Sequence, residues 1–253
     1  MHVHRLPVAY PNVPTGSVNA YLLVGDSTVL VDPPERHDDI DDLVADHGLD
    51  CVLATHHHPD HAGGVARYAR EYDATVACRA GREEQFADAT GVRPDRTYRE
   101  GSTVAGVRVL DTPGHAPEHV AFSTPSGLLA GDLAIDEGSV AVATPEGDMR
   151  AYCSSLRRVW ARAPARIYPG HGPVIKEPRA TCERLLGHRR TRERRILAVV
   201  TDGAYTLDAV TDGAYDKDIS AVRELAVATV EAHVEKLAVE GRIRWDGERV
   251  RPV

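Results

Sequence analysis

Cysteine is scarce and scattered: Cys51, Cys78, Cys153 and Cys182 are the only four in 253 residues, and no two stand in a CxxC spacing. That disfavours a disulfide scaffold, a zinc-finger module and a dithiol redox motif, and leaves buried free thiols. Long apolar runs are missing too, since nothing approaches the roughly 18 to 20 apolar residues of a membrane span. The opening MHVHRLPVAYPNVP lacks the apolar stretch of a secretory signal. The expectation is a soluble cytoplasmic protein with no membrane partner. Neither GxGxxG nor GxxxxGK occurs, so nucleotide binding has no support. Lysine supplies 3 of the 30 cations, a bias that carries no functional implication.

What is present is enough to build a core. Hydrophobic residues make up 42% and charged residues 27%, which fits neither disorder nor a collagen-like array. The length suits one large domain, or one large and one small. Charge divides the chain: residues 179–253 carry 14 Arg/Lys against 13 Asp/Glu, while residues 1–178 carry 16 against 25. The larger part is therefore acidic, at −9, and would repel polyphosphate. The balanced tail shows no electrostatic footprint for nucleic acid.

Strands and helices alternate through the first part. AYLLVG and STVLVD, joined at Gly25-Asp26, read as a hairpin, and Pro33-Pro34 stop the second strand at Asp32. HDDIDDLVADHG reads as a helix with acids in its first turn and Gly48 as a stop. Residues 50–54 form a short buried strand that delivers the chain into THHHPDHAGG. VARYAREYD and AGREEQFAD read as helices, TVAC as a strand, and TVAGVRVLD and HVAFST–GLLAGD as hairpins. This interleaving predicts an α+β protein with two stacked sheets and helices outside. After PGHGPVIKEP, RATCERLLGHRRTRERRILAVV forms one long helix or two linked ones. TLDAVTDGAY and AVRELAVATVEAHVEKLAVEG are helical, and Asp246-Gly247 marks a hairpin. Helix, helix, helix, hairpin is the order of a winged helix, so domains are expected over 1–178 and 179–253.

The chemistry lies in seven side chains from four loops. His56, His58, Asp60 and His61 form an HxHxDH string after a buried strand; His115 follows in TPGH, Asp132 in LLAGD and His171 in PGHG. Loops at strand ends converge on one sheet edge, so distant residues can meet there. Imidazole and carboxylate are zinc ligands, and a catalytic site keeps a position for water. His56, His58 and His115 are assigned to a first ion, Asp60, His61 and His171 to a second, and Asp132 bridges both. Paired ions about 3.5 to 4 Å apart can share a hydroxide at neutral pH, with no serine or cysteine nucleophile. Asp60, Asp132 and Asp32 are the carboxylates expected to serve catalysis, Asp32 as acceptor for the outer nitrogen of a ligand histidine. His119 is a further supporting candidate, with a core role equally open. His57 alternates away from the ions and reads as structural. His2, His4, His37, His47, His188 and His233 are unrelated to metal, and the arginines of HRRTRERR read as a solvated helix face mixed with Glu193, with a grip on phosphate or a partner as the alternative.

These motifs resemble the metallo-beta-lactamase superfamily: an Asp at a strand end, HxHxDH, a later His, a bridging Asp and a final His, all in order from Asp32 to His171. The resemblance implies an αββα four-layer sandwich. The tail, especially HRRTRERRIL and LAVEGRI, is similar to the winged-helix extension of the glyoxalase II-like, beta-lactamase-like protein 2 subgroup, which includes an endoribonuclease and thioesterases. Asp132 separates the chain from classical beta-lactamases, and His58 from the flavodiiron branch. The implied function is a dinuclear metal-dependent hydrolase of a small acyl thioester. Metal-dependent cleavage of single-stranded RNA is the alternative, and a non-catalytic metal-containing binding protein a third. Zinc is the first choice of ion, with iron or manganese also accepted by such ligands. A small-molecule substrate is favoured over nucleic acid as partner, and a homodimer is compatible with the tail.

Overall fold

Strand β2 (Ser17–Val24) is buried on both faces, and its alternation displays the layering. Ala20 and Leu22 join one apolar cluster, shared with helices; Tyr21 and Leu23 join another, shared with a second sheet. A strand with no wet face reads as a continuous apolar run. The computed structural model describes residues 1–253. Its first sheet runs β1 (His2–Ala9), β2, β3 (Val29–Val31), β4 (Cys51–Leu53), β5 (Thr75–Arg79), β6 (Arg96–Tyr98). The hairpin expected at Gly25-Asp26 is β2–β3, with Leu23 opposite Val29. From β3 onward the strands are parallel, which requires crossovers. Helices α1 (Asp38–His47), α2 (Pro59–Ala62), α3 (Val65–Tyr72) and α4 (Glu83–Thr90) lie in those connections.

The second sheet runs β11 (Ile167–Pro169), β10 (Gly127–Gly131), β9 (Val120–Thr124), β8 (Val107–Asp111), β7 (Thr103–Val104). Val109, Phe122 and Leu129 face Tyr21, Val31 and Leu53 across the sandwich. On its outer face lie α5 (Met149–Arg162) and the first turns of α6 (Pro178–Thr201), through Leu156, Cys182 and Leu185. The four expected layers are therefore present. Strand β1 has no sharp alternation to mark it in the sequence; it pairs along the whole of β2.

RATCERLLGHRRTRERRILAVV lies within one uninterrupted helix, α6, of 24 residues. Its later half joins α7 (Leu207–Ala214), α8 (Arg223–Val239) and the hairpin β12 (Ile243–Trp245), β13 (Val250–Pro252) around Ile196, Val200, Val234 and Val250. The reading of HRRTRERR as a solvated face holds for the exposed Arg190 and Arg194 and is corrected for Arg189 and Arg192. Leu185, Arg189, Arg192, Ile196 and Val200 follow helical spacing, so two arginines occupy the inner stripe. Arg189 is 2% exposed, with its guanidinium 5.0 Å above the Tyr152 ring, and that of Arg192 lies 3.5 Å above Tyr215. No helix is long and apolar enough to cross a membrane.

Candidate metal centre

All the loops singled out in the sequence leave one edge of the sandwich. Asp32 follows β3, HxHxDH follows β4, His115 lies between β8 and β9, Asp132 follows β10 and His171 follows β11. The last of these loops is tied across the sandwich: the Tyr21 hydroxyl donates to the Pro169 carbonyl at 2.6 Å, and the Gly170 carbonyl accepts from Asn19 N–H at 2.7 Å. Gly170 is required by space, because a Cβ there would stand 2.5 Å from Asp132 Oδ1 and 2.6 Å from His61 Cε1.

Two groups of donor atoms result. His58 Nδ1 is 3.0 Å from both His56 Nε2 and His115 Nε2. Asp60 Oδ2 is 3.7 Å from His61 Nε2 and 3.4 Å from His171 Nε2. Asp132 faces both: its Oδ1 is 3.4 Å from His61 Nε2 and from His171 Nε2, and its Oδ2 is 3.6 Å from His115 Nε2. The structure thus brings together all seven candidate ligands, in the two groups expected, with Asp132 between them.

Whether these donors suit metal is decided by their other nitrogens. A ligand imidazole needs its outer N–H bonded to an acceptor so that the inner nitrogen presents a lone pair. All five meet that condition. His56 Nδ1 faces Thr55 Oγ1 at 3.1 Å, His58 Nε2 faces Glu146 Oε2 at 3.0 Å, and His61 Nδ1 faces Asp32 Oδ2 at 3.1 Å. His115 Nδ1 faces the Ala141 carbonyl at 2.7 Å and His171 Nδ1 the Ser17 carbonyl at 2.9 Å. The inner His61 Nε2 is buried with no hydrogen-bond partner. Lone pairs converging on one point without protons between them fit a cation.

Asp32 stands where the sequence placed it, behind His61, and its part is orientation. It is 1% exposed, with a left-handed φ of 55°. Thr55 N–H and Oγ1–H donate to it at 2.6 and 2.8 Å. His119 also supports the centre without entering it: Nε2 accepts the Asp132 backbone N–H at 3.1 Å, and Nδ1 faces Thr112 Oγ1 at 2.8 Å. Burial pushes this imidazole down to about 3, which keeps Nε2 a neutral acceptor. His57 points away from the ligands, as its alternation required.

Two carboxylates in this arrangement had no signal in the sequence. Glu118 Oε1 is 2.5 Å from His57 Nδ1, and Glu146 reaches both His57 Nε2 at 3.2 Å and His58 Nε2 at 3.0 Å. A chain Glu118–His57–Glu146–His58 thus stands behind one ligand group. APEH and TPEG carry no spacing that would distinguish these glutamates from surface acids.

The chain shares its sequence family and fold with known proteins. A family model described as the metallo-beta-lactamase superfamily matches residues 13–171. The chain is 31% identical over 252 residues to the beta-lactamase-like protein 2 homolog of Drosophila melanogaster, covering 89% of this chain and 84% of that protein. It is 32% identical over 194 residues to the thioesterase pkgB of Emericella nidulans, covering 72% of this chain and 54% of that protein. Among solved structures, the metallo-beta-lactamase family protein TTHA1429 from Thermus thermophilus superposes with a TM-score of 0.80 at 25% identity, over 99% of this chain and 98% of that one. A protein named TTHA1623, solved in a di-iron-bound form, gives a TM-score of 0.55 at 32% identity, over 68% of this chain and 94% of that one.

Proposed function

Since the chain belongs to the metallo-beta-lactamase superfamily, we propose that it is a dinuclear metal-dependent hydrolase acting on an acyl thioester. The observation that carries this reading is the arrangement of five imidazoles, each held by an acceptor behind it, around a carboxylate whose two oxygens face separate donor groups. Two cations held there would lower the pKa of a shared water toward about 7 and polarise a carbonyl oxygen. His56, His58 and His115 would hold one, Asp60, His61 and His171 the other, and Asp132 both. Zinc is the first choice, and the di-iron form of a relative keeps iron in view.

The chain's own residues then have defined tasks. Asp60 and Asp132 are the acidic groups in the cleft floor, beside His58, His115 and His171; with both oxygens of Asp132 turned to the donor groups, Asp60 is the acceptor available to a water proton there. Asp32, Thr55 and Glu146 fix the orientation of His61, His56 and His58. Ala134, Ile135 and Val140 give the cleft an apolar flank above the ligands, suited to an acyl group and adverse to bulk water. The thioesterase name of a relative supports the choice of ester.

The test is hydrolysis of a panel of acyl thioesters by chain loaded with zinc, iron or manganese, with metal measured after gel filtration. Turnover with two ions per chain is the expected result, and Asp132→Ala should abolish it. Turnover no greater than that of mock-purified protein, with metal bound, would defeat the thioester assignment.

A further inference from the structure

The cleft has a second wall that metal chemistry does not use. About 410 Å³ in volume, it extends from the ligands to the C-terminal module, where Arg189, Arg192 and Lys217 line it. Arg189 is buried, yet no carboxylate pairs with it: its Nη2 donates to the Val140 carbonyl, and its Nε has no hydrogen-bond partner. Arg192 donates to the Ala214 carbonyl and lies over the Tyr215 ring, again with no acid in contact. Lys217 is exposed, between Asp216 and Asp218 in the chain. Three of the module's carboxylates are engaged by other cations, Asp216 by Arg195 and both Asp208 and Asp212 by Arg223, and Asp218, beside Lys217 in the chain, accepts from Ser220 N–H. Cations withdrawn from water without a counter-charge are costly to fold. Burial accordingly depresses the Arg192 pKa.

We propose that Arg192 and Lys217, with Arg189 behind them, form a subsite for an anionic group on the substrate, a phosphate or carboxylate remote from the scissile bond. The inference rests on the thioester reading, and places that anion on the thiol half of the substrate. Ile219, Val222 and Leu225 line the same cleft and suit the uncharged arm joining thiol and anion. A small molecule fits better than a nucleic acid. The cations converge on one cleft instead of lining a track, and Arg192 covers the Tyr215 face that a base would need for stacking.

The experiment compares three thioesters of one acyl group in the metal-loaded full chain: 4′-phosphopantetheine, glutathione and the neutral N-acetylcysteamine. One anionic thioester should be preferred, and which one identifies phosphate or carboxylate. Arg192→Gln and Lys217→Gln should each lower that preference about tenfold, through KM, the loss of one charge-assisted hydrogen bond. Equilibrium binding of free 4′-phosphopantetheine and of S-methylglutathione gives a second readout, with the preferred one weakened by the same factor. Lys217 is exposed, so its variant keeps the test open if Arg192→Gln does not fold. Binding that is absent in the wild type, or equal in wild type and both variants, overturns the subsite. So does a loss confined to a single-stranded RNA oligonucleotide. If no thioester is hydrolysed but anion binding still depends on Arg192 and Lys217, the thioester reading falls and the subsite stands.

Discussion

Each ligand imidazole presents the nitrogen it does because of what stands behind it. For His58 that group is Glu146, at 3.0 Å. Outer-shell partners of this kind set ligand orientation and basicity, and removing them costs about 10- to 100-fold in metal affinity. Glu146→Gln should weaken one of the two ions by that factor in a chelator competition, leaving the other nearly unchanged; equal retention of both would exclude the role. The His57–Glu118 pair gives a pH signature. Its hydrogen bond to Glu118 raises the His57 pKa above 6.5; burial opposes the Glu118 carboxylate but is outweighed by His57, which takes it from 4.5 to about 2. The Glu118 contribution is present above pH 4.5 and lost as pH falls toward about 2. The His57 contribution is present below pH 6.5 and lost as pH rises through its raised value. Glu118→Gln should therefore destabilise most between those limits, by about 2 kcal/mol for a charge-assisted bond. Denaturant melts of wild type and variant from pH 4 to 9 would show it, and a difference independent of pH would contradict the pairing.

At the scale of elements, α6 is the joint of the molecule. Its first turns pack Cys182 and Leu185 against the sandwich, and its later turns pack Ile196 and Val200 into the C-terminal cluster. One rigid helix shared by two cores couples their unfolding. Gly187 lies mid-helix with nothing near where its Cβ would be, so a side chain there is tolerated but a break is not. Gly187→Pro removes an N–H and clashes with the preceding turn, a cost of about 3 kcal/mol or more. Calorimetry should show one transition in the wild type, split or broadened into two in the variant. A variant that melts as one sharp transition would mean the helix does not couple the cores.

Across the whole molecule, charge is arranged by wall. The chain is net −8, yet the roof of the cleft is cationic and its floor carries Asp60 and Asp132 among the histidines. Without cations that floor holds converging donors with no common partner, so metal should stabilise the native state strongly. Binding at a thousand times Kd contributes about 4 kcal/mol, roughly a 10 °C rise in melting temperature for a chain of this size. Thermal melts with zinc and with chelator should differ by that much, and Asp132→Ala should remove most of the difference. Equal melting temperatures would argue against resident ions.

The layered architecture and the seven candidate ligands were legible in the sequence. Both are written in local pattern: apolar runs at strand period, and HxHxDH, His115, Asp132 and His171 each at the end of one of those runs. Asp32 was legible for the same reason, since Pro33-Pro34 force the strand to stop there. What stands behind the ligands and above them follows from the folding of distant segments together. Glu118 and Glu146 act because folding carries them to His57 and His58, which lie 61 and 88 residues away in the chain. Arg189 and Arg192 looked solvated because charge in a helix usually faces water. That Arg189 is buried and Arg192 half-buried depends on which stripe of α6 meets the sandwich, and that is set by Leu185 and Ile196 packing into partners contributed by other elements.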